Sequence, residues 1–125
     1  MPEEPNIICV LDDDASILKA MRRLLASAGL TMVGFSDPRL FLEYAKTHAI
    51  GLAILDVWMP ELSGLEVQSR LRDFGLPTPV IIITGRDETG IRSLGLQQGA
   101  AAVFTKPFND EALLEAIRAA LPAIG

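Results

Sequence analysis

The chain has 125 residues, half of them hydrophobic, and a formal net charge of -5. That length suits one compact domain with one core, and the acidity, with no run of Lys or Arg, excludes nonspecific nucleic-acid binding by this stretch. The single cysteine, Cys9, cannot form an internal disulfide and sits in an apolar strand pattern, which fits a reducing compartment.

The first residues, Met1-Pro2-Glu3-Glu4-Pro5, lack the basic and apolar regions of a signal peptide, and no apolar run approaches the ~20 residues that span a bilayer. The expectation is a cytoplasmic protein with no membrane partner. Asn6 to Leu11 is aliphatic and stops at Asp12-Asp13-Asp14, the pattern of a strand buried on both faces. Ile17, Leu18, Met21, Leu24, Leu25 and Ala28 then recur at helical spacing, with Asp14 as N-cap and Gly29 as stop. Leu30 to Phe35 reads as a weaker strand. Asp37-Pro38 starts a second helix whose Leu40, Phe41, Tyr44 and Ala45 are expected to face the core.

Gly51 to Asp56 is an apolar run ending in one carboxylate, and Val57-Trp58-Met59-Pro60 turns the chain. Val67, Leu71 and Phe74 mark a third helix ending near Gly75. Pro79 to Thr84, rich in β-branched residues and closed by Gly85, is the clearest strand. From about Asp87 to Gln98 the pattern is helical but weak. Only Ile91, Leu94 and Leu96 are large and apolar, and Gly90 and Gly95 interrupt them, so this helix is expected to be the least stable. Ala101 to Thr105 forms a last strand. After Lys106-Pro107, Asn109 caps a final helix with Leu113, Leu114, Ile117 and Leu121 inward, ended by Pro122.

Aliphatic strands alternating with amphipathic helices predict an α/β fold: a parallel sheet covered on both faces, with functional groups at the carboxyl ends of its strands. Those ends collect Asp12, Asp13, Asp56, Thr84 and Lys106 on one rim. Two carboxylates ~5 Å apart repel by about 3 kcal/mol at an effective dielectric of ~20, so a cation must balance them. Oxygen donors without a nearby His or Cys favour a hard ion, and a shallow hydrated site suits Mg²⁺. A metal, a lysine and a hydroxyl around one carboxylate equip it for phosphoryl transfer, with Asp56 as nucleophile and Lys106 and Thr84 serving the phosphoryl oxygens.

These motifs resemble the receiver domains of two-component response regulators: Asp12-Asp13, Asp56-Val57-Trp58-Met59-Pro60 with Gly64, Thr84-Gly85, and Lys106-Pro107-Phe108. The resemblance covers nearly the whole chain, and Ser63-Gly64-Leu65-Glu66-Val67 with Ile83-Thr84-Gly85 and the closing motif looks most like the receivers of FixJ-type transcriptional regulators. It implies a flavodoxin-like (βα)5 doubly wound sheet of order 2-1-3-4-5, here one receiver domain over 1–125 with its core at about 6–121. It implies a sensor histidine kinase as phosphoryl donor and Mg²⁺ held by Asp13, Asp56 and the Trp58 backbone carbonyl, with Asp12 acting through water. The peptide before Pro107 is expected to be cis. The fourth helix, fifth strand and fifth helix are expected to report phosphorylation, to a DNA-binding output domain outside this chain or through a homodimer.

The sequence departs from the family where a Tyr or Phe usually stands three residues before the motif lysine. Val103 is there, followed by Phe104, so the signal is expected to travel by backbone and helix displacement. Trp58 and Arg86, two residues beyond Asp56 and Thr84, are expected to flank the phosphoryl group and slow attack by water. Trp58 fluorescence is expected to respond to Mg²⁺. Two other classes share such a sheet. An aspartate-nucleophile phosphatase wants a second Asp where Trp58 stands, and a flavin module wants a neutral, glycine-rich first turn rather than an acidic one. His48, the only histidine, reads as a surface or helix-end residue, and the two turn glycines Gly64 and Gly85 carry no specific role beyond room for phosphate at Gly85.

Overall fold

β-branched and aliphatic runs place strands at β1 (Ile7–Leu11), β2 (Thr31–Phe35), β3 (Leu52–Asp56), β4 (Val80–Thr84) and β5 (Ala102–Thr105) in a computed structural model that describes residues 7–85 and 90–121. Between them lie α1 (Ala15–Ser27), α2 (Pro38–Thr47), α3 (Gly64–Asp73) and α4 (Ile91–Gln97), and α5 (Asp110–Ala120) follows β5. All strand pairs are parallel, in the order β2-β1-β3-β4-β5, the flavodoxin-like arrangement. The strand order reverses between β1 and β3, so the crevice of such a sheet opens beside their carboxyl ends.

Side chains alternate between two apolar layers, as a pleated strand requires. Ile8, Val10, Leu52, Ile54, Ile81 and Ile83 meet Met21 and Leu25 of α1 and Leu113 and Ile117 of α5. Cys9, Leu11, Ala53, Leu55 and Ile82 meet Phe41 and Leu42 of α2 and Val67 and Leu71 of α3. Burial of both faces explains why the strands read as continuous apolar runs. It also pushes the Cys9 thiol up to about 12, so that it behaves as a small apolar side chain.

Three helix starts follow the expected caps, and the start of α3 adds one beyond those expected. Asp14, Asp37 and Asn109 each accept a backbone N–H of the first turn, and Ser63 forms a reciprocal capping box with Glu66. One core assignment is corrected, and further apolar positions lie near the surface. Leu40 is 61% exposed because the buried stripe of α2 is Pro38, Phe41, Leu42 and Ala45, spaced for one helix face that Leu40 does not share. Phe74 caps α3 near the surface, its ring under the Lys46 ammonium at 4.9 Å. In α4 the leucines point outward, and the buried residue is Gly95, where a Cβ would lie 3.4 to 3.7 Å from Val103, Ile82 and Leu65. The start of this helix that the sequence puts at Asp87 lies outside the described residues, as do Asn6 and Pro122.

Candidate functional site

Asp56 is the last residue of β3 and is 4% exposed. Its neighbours arrive from three other chain segments. β1 ends one residue before Asp12, which is also buried, and the Asp14 N–H donates to Asp12 Oδ1 at 2.9 Å. That turn leaves Oδ2 facing Lys106, whose Nζ donates to it at 3.0 Å and to Asp56 Oδ1 at 3.3 Å. Lys106 is carried there by β5, and its backbone N–H donates to the Thr84 carbonyl at 2.7 Å; the peptide that follows, to Pro107, is cis.

Carboxylate oxygens of Asp12, Asp13 and Asp56 lie within 4.8 Å of one another, with Asp13 on the solvent side. Octahedral Mg²⁺ ligands about 2.1 Å from the ion are roughly 3 to 4 Å apart, so three such oxygens fit one hard cation after small adjustments. Asp14 stays out of this group, exposed and held below the ordinary carboxylate range by the Ser16 hydroxyl and N–H.

The electrostatics follow from burial. Removal from water pushes the Asp56 carboxyl up to about 6, the charge of Asp12 adds to the shift, and Lys106 opposes it. Burial pulls the Lys106 ammonium down, but its bonds to Asp12 and Asp56 outweigh this and leave it above its ordinary value. The pocket is thus one positive charge against three acids, and it still favours a further cation.

Thr84, the last residue of β4, is buried, and its Oγ1 accepts a hydrogen bond from Trp58 Nε1 at 2.9 Å. The sequence puts both residues on this rim but does not reveal that they touch; the adjacency of β3 and β4 is the signal that links them. Gly64 is a second residue whose part is invisible in the sequence. A Cβ there would collide with the Asp56 carbonyl oxygen and lie 3.3 Å from Leu55 Cβ, so only glycine lets α3 start this close to the acid. Arg86 lies outside the described residues. His48 caps the C-terminus of α2, exposed and stacked on Tyr44.

Acids at the ends of β1 and β3 with a lysine from β5 occur here on a sheet of order β2-β1-β3-β4-β5, and the family model of the response regulator receiver domain matches residues 8–118. The chain belongs to that family. This receiver is 43% identical over 121 residues to the response regulator protein TodT of Pseudomonas putida, an alignment covering 97% of this chain and 53% of TodT. It is 39% identical over 111 residues to the transcriptional regulatory protein DltR of Streptococcus agalactiae, covering 89% of this chain and 50% of DltR. Among solved structures, FixJ-N superposes with a TM-score of 0.87 at 28% identity, covering 99% of this chain and 100% of FixJ-N. The receiver spans about half the length of the curated relatives it matches. It is a phosphoacceptor signalling domain. No helix among the described residues is long and apolar enough to cross a membrane.

Proposed function

We propose that Asp56 is the phosphoacceptor and that a sensor histidine kinase is its donor. The observation that carries this reading is the Asp56 carboxylate itself, fixed at a strand end between Lys106 and the Asp12-Asp13 pair. An Asp56 carboxylate oxygen attacks phosphorus, forming an acyl phosphate as the bond from phosphorus to the donor imidazole breaks. Asp13, Asp56 and the Trp58 carbonyl would hold Mg²⁺, with Asp12 acting through water; the ion would supply positive charge to the phosphoryl oxygens. Lys106 neutralises a further oxygen, and the Thr84 hydroxyl donates to another once the group is attached. Trp58 flanks the product and slows its hydrolysis, Arg86 is the second residue proposed to slow it, and the domain catalyses only its own phosphorylation and dephosphorylation.

The acyl phosphate biases two conformations, and the surface of α4, β5 and α5 reports the change. Similarity to the transcriptional regulatory protein DltR supports a DNA-binding output domain beyond this chain, which as a whole, 1–125, acts as one cytoplasmic receiver domain. A homodimer through the reporting surface is the further partner proposed. The test is incubation with Mg²⁺ and acetyl phosphate followed by mass measurement. One added phosphoryl group, absent in Asp56→Ala, is the expected result; repeated turnover of a phosphate ester would instead make this an aspartate-nucleophile phosphatase.

A further inference from the structure

We infer that the Trp58 indole is a positioning group that holds the Thr84 hydroxyl in its resting place, and that a phosphoryl group on Asp56 breaks this contact. The inference rests on Asp56 being the phosphoacceptor. Trp58 Nε1 donates to Thr84 Oγ1 at 2.9 Å; an indole N–H can only donate, so the hydroxyl oxygen accepts this bond while its own O–H remains a donor. The two residues straddle adjacent strand ends. Asp56 pairs with Ile83 in the register of β3 and β4, and the Val57 N–H donates to the Ile83 carbonyl at 2.9 Å.

Serving a phosphoryl oxygen on Asp56 would draw the Thr84 hydroxyl toward that oxygen and away from the indole. A shift of about 1 Å takes a contact of this length out of hydrogen-bonding range, so the indole and the phosphoryl group compete for one side chain. The β-branched Thr84 moves between discrete rotamers rather than sliding. Its partner can yield cheaply, because Trp58 is 40% exposed while Thr84 is 2% exposed. Val103, by contrast, is buried and has no ring to move; its Cγ2 would lie 3.4 Å from a Cβ at Gly95. The aromatic group that answers Thr84 therefore sits on the loop after β3 instead of on β5.

Trp58→Phe keeps the ring and removes the donor; Thr84→Val keeps the shape and removes the acceptor. In the resting, metal-free chain, NMR should find the Trp58 indole N–H protected from solvent exchange in wild type and less protected in Thr84→Val. With Mg²⁺ and beryllofluoride, which imitates the phosphoryl group, Trp58→Phe should bind the mimic about two- to tenfold more tightly, the worth of one neutral hydrogen bond. This gain should vanish when Thr84→Val is already present. Wild-type binding at Asp56 with no gain in Trp58→Phe, or a gain that persists in the double variant, overturns the inference alone. Failure of wild type itself to bind beryllofluoride removes the phosphoacceptor reading and this inference with it.

Discussion

Gly64 and the Asp56 carbonyl approach so closely that no side chain can stand between them. The Gly64 N–H donates to the Val57 carbonyl at 3.2 Å, so the first turn of α3 is bonded to the same loop that it crowds. Gly64→Ala must push α3 or the end of β3 by several tenths of an ångström. The expected cost is about 1 to 3 kcal/mol, as for other insertions into packed sites. Urea denaturation measures it, and acetyl phosphate labelling should slow in the surviving folded protein because Asp56 moves. Unchanged stability would mean that the loop relaxes freely and that the close approach constrains nothing.

Asp56 is costly to ionise in the folded chain, since its carboxyl titrates near 6 mainly through burial. The unfolded chain releases that proton near 4, so between these values the folded state holds more protons and stability falls as pH rises. Above about pH 6 the full cost is present, and a shift of roughly two units amounts to at most about 3 kcal/mol. Asp56→Asn should therefore be more stable than wild type at pH 8 without metal. The difference should shrink as pH falls through 6 toward 4. Thermal melts in chelator at pH 8 and pH 4 check both the sign and the window, and Mg²⁺ at pH 8 should close much of the gap by stabilising wild type alone.

The strands, the helices between them and the rim of polar residues were legible because each signal is local. Ile81, Ile82 and Ile83 announce β4, and a carboxylate ending an aliphatic run announces Asp56. Contacts set by the approach of two elements were not. Nothing local distinguishes Gly64 as a turn residue from Gly64 as a spacer against Asp56, and Gly95 reads as a weakness until α4 is docked on β4 and β5. Leu40 misleads for the opposite reason: its type says core, while the stripe running through Phe41, Leu42 and Ala45 turns it to solvent. The Trp58-to-Thr84 bond needed both the strand order and the rotamers.

Lys106 balances two buried carboxylates, so Lys106→Met should disturb charge more than shape. Without the ammonium, the interactions that lower the Asp56 carboxyl are gone while burial and Asp12 still raise it, and its titration should move above 6. Carboxyl NMR over pH 5 to 9 would show this. Labelling by acetyl phosphate should fall about a hundredfold, the usual effect of losing one preorganised group on developing charge. A titration that stays near 6 would show that Lys106 is not what offsets the burial of Asp56.

α4 offers the converse case, a substitution expected to stabilise. A Cβ at Gly95 would lie 3.4 Å from Val103 Cγ2, 3.5 Å from Ile82 Cγ1 and 3.7 Å from Leu65 Cδ2, all ordinary contact distances. Alanine in a helix interior is favoured over glycine by about 1 kcal/mol, and here the added methyl also enters an apolar contact. Gly95→Ala should raise stability by about 0.5 to 1 kcal/mol and slow amide exchange across Ile91–Gln97. The Gln68 Nε2 donor, 3.2 Å from the Gly95 carbonyl, is the restraint most exposed to any shift. If stability falls instead, α4 has been pushed off β5 and that bond to α3 has been broken. If stability rises while acetyl phosphate labelling keeps its wild-type rate, α4 lies downstream of the chemistry at Asp56 and its order is not needed for phosphoryl transfer.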